Sequence, residues 1–153
     1  MLILKWFFGD RDLEDAYAIR HEVFVQEQNV SEAEEYDGTD GSCAHLVAYE
    51  NDAPIATGRI LITNDDYVIG RVAVLKAHRG RQLGLGIMQV LIDACCTMGS
   101  QRQTLHAQTH ARGFYEKLGF TAYGEEFDEA GIPHIAMEHF GPARCCGPAG
   151  GQQ

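Results

Sequence analysis

At the middle of this chain lies the stretch Tyr67-Val-Ile-Gly-Arg-Val-Ala-Val-Leu75, which is rich in β-branched residues and contains no proline. The chain continues through the basic segment Lys76-Ala-His-Arg-Gly-Arg-Gln-Leu-Gly-Leu-Gly86 into the apolar run Ile87-Met-Gln-Val-Leu-Ile-Asp-Ala-Cys-Cys-Thr-Met98. The first segment is typical of a buried strand, because β-branched side chains favour strands. In the third segment the apolar residues recur at helical spacing, which predicts an amphipathic helix. The order is therefore strand, glycine-bearing turn and helix.

A strand that leads through a glycine-bearing turn into a helix can bind phosphate. The first N–H groups of a helix lack intrahelical acceptors, and the helix dipole adds positive potential there. Glycine lets an anion approach the backbone closely, and Arg79 and Arg81 add charge to the same turn. The whole chain is acidic, with 12 Lys and Arg against 22 Asp and Glu. The local positive charge therefore indicates a specific anion, and the acidic balance argues against nucleic acid.

Two familiar phosphate-binding turns are excluded by their motifs. The chain has no Gly-x-x-x-x-Gly-Lys-Ser/Thr, so it is not a P-loop NTPase. It has no Gly-x-Gly-x-x-Gly opening a first βαβ unit, so dinucleotide binding is disfavoured. The pattern that remains is Arg-x-x-Gly-x-Gly, in Arg81-Gln-Leu-Gly84-Leu-Gly86.

The flanking sequence predicts further strands and helices in a mixed order. A strand, helix and strand connected in this way form a right-handed crossover, so the strand after the long helix is expected to run parallel to the central one. Other predicted strands are Leu2–Phe8, His45–Tyr49, Ile55–Thr63, Thr104–Gln108, Phe120–Phe127 and Ile135–Phe140, and other predicted helices start near Asp12, at Glu32 and at Ala111.

Composition limits the class of protein. The length of 153 residues suits one domain, and 45% hydrophobic content is ordinary for a globular chain. No apolar run approaches the ~20 residues that span a bilayer. Five cysteines, of which four form the adjacent pairs Cys95-Cys96 and Cys145-Cys146, fit neither a disulfide framework nor a zinc site. We therefore expect a cytoplasmic protein without a metal.

The glycine turn, together with Phe114-Tyr-Glu-Lys-Leu-Gly-Phe120 downstream, resembles the GCN5-related N-acetyltransferases (the GNAT superfamily). Members carry a Gln/Arg-x-x-Gly-x-Gly/Ala turn for the pyrophosphate of acetyl-CoA and a Tyr-Glu-x-x-Gly-Phe signature on a later helix. Val23-Phe-Val-Gln-Glu-Gln28 and Tyr36-Asp-Gly-Thr-Asp40 are similar to segments of its small bacterial ElaA/YjcF-like branch.

The resemblance implies an α/β fold of the α+β type. Its central sheet would be mixed and mostly antiparallel, with two parallel central strands that splay apart and helices on both faces. We expect one N-acetyltransferase domain over residues 1–140, followed by a flexible tail over 141–153, where glycine and proline are frequent.

The resemblance also implies where acetyl-CoA binds. The literal motif begins at Arg81, whereas counting from Ala73 places its arginine at Arg79 and puts Gln82 where glycine is usual. We favour the Arg79 register. The pantetheine arm would lie along the central strand, where one N–H polarises the thioester carbonyl. The expected coenzyme-binding residues are Ala73, Val74, Leu75, Arg79, Gly80, Arg81, Gln82, Leu83, Gly84, Leu85, Gln108 and Tyr115.

Two residues are candidates for proton transfer. Tyr115 of the second signature would donate a proton to the leaving thiolate of coenzyme A, because a phenol is protonated at neutral pH. His134, in Pro133-His-Ile, would accept the proton of the amine. The alternatives are a packed tyrosine and a hydrogen-bonded histidine at a strand end. Glu27, His45, Glu126 or a water relay stay open as the base.

Arg20 and Arg71 fall among apolar residues of a helix and of the central strand. A buried arginine needs an anionic partner. That partner is either an acid of the loop over residues 29–42 or a carboxylate of the acceptor, in which case both arginines bind substrate.

We therefore expect an acetyl-CoA-dependent N-acetyltransferase that acts on a primary amine by direct attack in a ternary complex. The acceptor is expected to be a small molecule. A protein lysine or N-terminal acetyltransferase, and a non-catalytic acyl-CoA-binding regulatory module, are the alternatives. The sequence leaves a homodimer open and gives no sign of a membrane partner.

Overall fold

The computed structural model of the chain describes residues 1–64 and 66–142. Asp65 lies outside the described residues. So do residues 143–153, which include Cys145 and Cys146 and most of the expected flexible tail.

The described chain forms seven strands and four α-helices. In order they are β1 (Leu2–Phe8), α1 (Glu14–Arg20), α2 (Glu32–Glu35), β2 (Cys43–Glu50), β3 (Ala53–Thr63), β4 (Asp66–Val74), α3 (Leu83–Thr97), β5 (Arg102–Gln108), α4 (Arg112–Lys117), β6 (Thr121–Glu129) and β7 (Ile132–Phe140). Short 3₁₀ turns precede β2, α3 and α4.

All seven strands form one sheet in the order β1-β2-β3-β4-β5-β7-β6. Every pair is antiparallel except β4–β5, so the expected mixed sheet with a parallel central pair is confirmed. The last strand lies between β5 and β6, because β7 returns from a hairpin and inserts beside β5.

The two central strands diverge soon after they meet. β4 pairs with β5 only at Tyr67–Gln103 and Val68–Thr104, although both strands continue for several residues. A β-bulge in β4 accompanies the divergence, since its pairing with β3 shifts register near Gly58 and Arg71 has φ +51°. A bulge bends a strand and redirects its side chains. The divergence leaves a cleft between the carboxyl ends of β4 and β5.

Helices cover both faces of the sheet, and each encloses a core. On one face the long helix α3 packs against β2–β5, with Met88, Leu91 and Ile92 fully buried. On the other face α1 packs through Ala16 and Ile19. The close approach of α3 requires glycine at position 58, because a Cβ there would lie 2.7 Å from a Leu91 methyl carbon. Among the described residues no helix is long and apolar enough to cross a membrane.

The first helix changes character at its carboxyl end. α1 continues as a π-helix over His21–Glu27, in which the Gln28 N–H bonds to the Val23 carbonyl. The sequence predicted a helix that starts near Asp12 but not the π turn. A π turn inserts one extra residue and is frequent at functional sites. Here it brings Phe24, Glu27 and Gln28 to the cleft.

Candidate active site

A cavity of about 970 Å³ occupies the cleft between β4 and β5. Its walls come from the π-helical segment, the turn before α3, the start of α4 and the β6–β7 hairpin. These elements bring Tyr115, His134, Arg71 and Gln108 to one cavity, although the four residues are distant in sequence.

The turn before α3 presents a row of unused backbone donors. Among the described residues, the N–H groups of residues 80–85 donate no hydrogen bond. Gly80 has φ +85° and Gln82 has φ +62°, and Gln82 begins α3 without a side-chain cap. The left-handed conformation at Gln82 is the one that glycine adopts most easily, which agrees with the Arg79 register. The free amides and the helix dipole together make an anion site.

The two arginines of this turn are both paired. Arg79 forms a two-pronged ion pair with Glu27, at 2.6 and 2.8 Å, and its Nε donates to the Val74 carbonyl. Arg81 forms a two-pronged pair with Glu50. Arg79 lines the cavity, whereas Arg81 points away from it toward the β2–β3 turn. The placement of Arg81 therefore gives no support to its expected contact with the coenzyme.

The end of β4 offers one backbone N–H to the cleft. The N–H of Leu75 donates to the Ile55 carbonyl of β3, so Leu75 has no free donor, contrary to the expectation from sequence. Backbone groups alternate direction along an antiparallel strand, which turns the N–H of Val74 toward the edge that β5 has left. Val74 and Ala73 line the cavity, and Leu75 does not.

Tyr115 lies on α4 at the cavity wall. Its ring contacts Phe114 and Phe120 edge-on, with centroid distances of 5.0 and 6.1 Å. Its hydroxyl has no hydrogen-bond partner among the described residues. Burial raises the pKa of the Tyr115 phenol to about 12, so this group stays protonated at neutral pH.

His134 lies on β7 directly opposite Gln108 of β5 and is 7% exposed. Its Nδ1 lies 2.7 Å from the Ile132 carbonyl. A carbonyl oxygen can only accept, so Nδ1 carries the proton and Nε2 has the free lone pair of the neutral ring. The contact thus selects the tautomer in which Nε2 can accept a proton. Nε2 lies 3.9 Å from the Glu129 carboxylate.

Comparisons with known proteins agree with this geometry. Residues 10–139 match the family model described as the acetyltransferase (GNAT) domain. This chain belongs to the GNAT family. It is 40% identical over 130 residues to the N-acetyltransferase YjcF of Bacillus subtilis, covering 84% of this chain and 93% of YjcF. It is 38% identical over 125 residues to Escherichia coli ElaA, covering 78% and 81% of the two chains. The chain is therefore an acyltransferase of the ElaA/YjcF-like branch.

Solved structures extend the comparison to the GNAT fold. The crystal structure of E. coli ElaA superposes with a TM-score of 0.81 at 32% identity, covering 91% of this chain and 99% of that one. An aminoglycoside 6′-N-acetyltransferase complexed with coenzyme A superposes with a TM-score of 0.71 over 90% and 96% of the two chains. At 15% identity the second likeness shows the fold alone.

An ion-pair network adjoins the cavity, whose lining includes Glu35, Arg59 and Arg71. Arg20 is 1% exposed, and its guanidinium pairs with Glu35 and Asp40. Arg59 donates to the same Asp40 at 2.8 Å. Arg20 does not line the cavity, so its position supports pairing with acids of the loop over substrate contact.

Arg71 belongs to the same network but reaches the cavity wall. Its Nε lies 3.0 Å from a carboxylate oxygen of Glu35, its Nη2 donates to the Glu35 carbonyl at 3.0 Å, and the side chain is 21% exposed. Asp37 lies 3.4 Å from the same Nη2. Arg71 is therefore held by Glu35, and part of its side chain remains exposed to the cavity.

Asp40 joins the two deepest arginines. Burial alone would raise the pKa of its carboxyl group, but the hydrogen bonds and charges of Arg20 and Arg59 outweigh burial and lower this pKa to about 2. Asp40, Cys43 and His45 also bring potential metal ligands within 4.8 Å of one another. The two guanidiniums already neutralise Asp40, and their charge opposes a metal cation there.

Several residues of the GNAT cleft were not among the coenzyme-binding or substrate-binding residues expected from the sequence. Gln28 accepts a hydrogen bond from Gln108 at 2.9 Å, which links the π-helical segment to β5 across the cavity. Glu27, Arg59 and Glu129 also line the cavity. The Glu-Gln pair at positions 27 and 28 falls within a segment similar to the branch, and that similarity was the one available hint.

Proposed function

We propose that this acyltransferase moves an acetyl group from acetyl-CoA to the primary amine of a small molecule, by direct attack in a ternary complex. The observation that carries the proposal is the row of free amides from Gly80 to Leu85 at the mouth of a cleft between diverging parallel strands. A diphosphate offers several acceptor oxygens to such a row, and an extended amide-containing arm fits beside the free edge of β4.

The reaction then needs three groups of the protein. In our proposal the N–H of Val74 stabilises the negative charge that develops on the thioester oxygen. The amine nitrogen bonds to the acetyl carbon while the carbon–sulfur bond breaks. Tyr115 gives its proton to the thiolate, and Nε2 of His134 takes the proton that the amine loses. Tyr115 can act as the acid because burial raises the pKa of its phenol and keeps it protonated at neutral pH, and the bond from His134 to Ile132 supports the role of base.

The acceptor site would be the part of the cavity between Arg71 and His134. We propose that the exposed edge of Arg71 binds an oxygen of the acceptor, and that Gln108, held by Gln28, contacts either acceptor or pantetheine. Arginines in the wall of a cavity of this size favour a small molecule over a protein segment. We place the reaction in the cytoplasm.

Titration calorimetry with coenzyme A, followed by thiol release in the presence of an amine panel, tests this function. We expect heat of binding from coenzyme A alone, and thiol release from acetyl-CoA that depends on a small amine. His134→Gln should lower kcat by about 10²–10⁴-fold and leave coenzyme A binding unchanged. No heat with coenzyme A, or faster release with lysine peptides than with every small amine, would contradict the proposal.

A further inference from the structure

The base of the proposed reaction has a second carboxylate and a second histidine beside it. Glu129 is the last residue of β6, and its two carboxylate oxygens face two different imidazoles. Oε2 lies 3.9 Å from Nε2 of His134, and Oε1 lies 2.9 Å from Nδ1 of His106. All three residues line the cavity.

The side chain of His134 is buried, whereas those of Glu129 and His106 are exposed to solvent. The side chain of His134 is 8% exposed, that of Glu129 is 44% exposed, and that of His106 is 52% exposed. The order of contact is also the order of exposure, so the chain of groups leads from the interior of the cleft to its surface.

The local structure fixes this arrangement. The two-residue turn Ala130–Gly131, with φ values of +55° and +77°, closes the β6–β7 hairpin and sets Glu129 opposite Ile132. Positive φ at both central residues is the type I′ geometry that matches strand twist. The ring of Phe127 contacts both imidazoles, edge-on to His106 at 4.9 Å and stacked with His134 at 6.0 Å.

A buried base must return to its neutral form after each turnover. His134 is hydrogen-bonded through Nδ1 to a backbone carbonyl, so Nε2 is the nitrogen that both gains and releases the proton. Glu129 is the charged group that faces Nε2, and its exposed side chain can close the remaining distance.

We propose that Glu129 and His106 form a proton relay that carries the amine's proton from His134 to solvent. This inference rests on the proposed function. The proton taken up at Nε2 of His134 passes to Oε2 of Glu129, which becomes a carboxylic acid. In the resting state Nδ1–H of His106 donates to Oε1 of the ionised Glu129 at 2.9 Å. Once Glu129 is protonated, the exposed imidazole exchanges with water to its Nε2–H tautomer, and Nδ1 then accepts the proton from the rotated carboxyl group. The imidazolium of His106 then releases one proton to water, and each group returns to its starting charge.

The relay assigns different roles to the three residues. His134 is the catalytic base, whereas Glu129 and His106 act through it. Because an exposed relay can be replaced by dissolved buffer, its loss should be repaired by a small proton carrier, and a loss of packing should not. Asn at position 106 retains a donor at the δ position and can still hold Glu129, but it cannot carry a proton.

The test compares kcat for acetyl-CoA and the fastest small amine of a panel, in weak buffer and with added imidazole. We expect Glu129→Gln and His106→Asn to lower kcat by roughly 10-fold in weak buffer, less than the ~10²–10⁴-fold expected when the base itself is lost. Added imidazole should restore both variants to near the wild-type kcat. The exposed Glu125→Gln on the same strand, which does not line the cavity, serves as the matched control and should equal the wild type in both buffers.

Two outcomes would overturn the relay while the proposed function stands. In the first, the two variants turn over at the wild-type rate in weak buffer. In the second, they are slow and imidazole does not restore them, which would show that Glu129 and His106 only hold the hairpin in place. Absence of amine-dependent thiol release from the wild-type protein would overturn the proposed function itself, and the relay with it.

Discussion

The guanidinium of Arg79 is held by the carboxylate of Glu27 through two hydrogen bonds of 2.6 and 2.8 Å. The pair joins the turn before α3 to the π-helical segment on the opposite wall of the cavity. An arginine that the motif assigns to phosphate is thus engaged by the protein itself. We therefore propose that Arg79 positions the turn and that the amides that follow it bind the phosphate.

This finding predicts that Arg79→Gln and Glu27→Gln have the same effect. Each should weaken coenzyme A binding by up to about fivefold, because an exposed ion pair is worth at most ~1 kcal/mol. The double variant should bind no more weakly than either single variant, since both remove one interaction. Calorimetry measures all three affinities. Tighter binding by Glu27→Gln would show instead that Arg79, once released, binds phosphate directly.

Arg81 supplies a matched control for that experiment. Its guanidinium pairs with Glu50 outside the cavity, so Arg81→Gln should change coenzyme A affinity by no more than roughly twofold at moderate salt, where exposed charges are screened. A loss as large as that of Arg79→Gln would place Arg81 in the site after all.

Substitution of two glycines at the start of α3 should change stability in the same way but coenzyme A binding differently. A Cβ at Gly84 would lie in ordinary contact with Phe114 at 3.5 Å, and a Cβ at Gly86 would meet nothing. Alanine at either position should stabilise the fold by roughly 0.5–1 kcal/mol, because it lowers the entropy of the unfolded chain. Gly84 lines the cavity and Gly86 does not, so only Gly84→Ala should weaken coenzyme A binding, by about tenfold or more. Denaturant unfolding and calorimetry measure the two effects. Equal affinities would contradict binding by the backbone of this turn.

Tyr115→Phe tests the acid without disturbing the core. The phenyl ring keeps the contacts with Phe114 and Phe120, and the hydroxyl has no hydrogen-bond partner to lose among the described residues. We expect a fall in kcat of about 10²–10⁴-fold, with the free energy of unfolding within ~0.5 kcal/mol of the wild-type value. Because the pKa of Tyr115 is raised to about 12, its ionisation should cause no loss of kcat below pH 10. If Tyr115→Phe lowered the stability but left kcat unchanged, Tyr115 would have a packing role and would not be the acid.

The ion pairs of Asp40 predict that the free energy of unfolding decreases at acid pH. Its pKa is lowered from 3.8 to about 2 in the fold, so its ionised form stabilises the native state above pH 4, and that contribution is lost as the pH falls toward 2. The loss should be roughly 2 kcal/mol. Asp40→Asn should cost roughly 3–5 kcal/mol at pH 7, because two buried arginines lose a shared partner, and should remove this loss at acid pH. Denaturant unfolding from pH 7 to pH 2 measures it, with Glu125→Gln as the control. If Asp40→Asn loses as much stability between pH 7 and pH 2 as the wild type, the loss must come from other carboxyl groups.

Arg71→Ala tests the acceptor side of the cavity. We expect the KM of the acceptor to rise by about tenfold, which corresponds to the loss of one charged hydrogen bond, while coenzyme A affinity stays the same. Arg112→Ala, at an exposed helical ion pair with Glu116, provides the control. Unchanged acceptor kinetics would leave Arg71 as a structural partner of Glu35 and Asp37.

Local patterns were enough to predict most of the backbone. β1 has the expected bounds, and the expected amphipathic helix is α3, which begins four residues before the apolar run Ile87–Met98, at Leu83. The parallel pairing of β4 and β5 followed from the handedness of the crossover. The last two strands were expected over Phe120–Phe127 and Ile135–Phe140, and the observed strands are longer, so that only Ala130 and Gly131 lie between them.

Local sequence patterns did not predict which side chains pair with one another. Nothing local indicates that Arg79 pairs with Glu27, 52 residues away, or that Arg20 is enclosed by Glu35 and Asp40. Several acids could serve each arginine, and the choice depends on which elements the sheet brings together.

The sequence by itself determined the family, through motifs that lie within short continuous segments, and the parallel pairing of β4 with β5, through the handedness of the crossover between them. Only the tertiary structure decided which donors stay free for a ligand. Leu75 and Arg81 lose theirs to Ile55 and Glu50. Val74 keeps its N–H because β5 has diverged from β4, and the amides of residues 80–85 stay free because they lie in a turn and at the start of a helix.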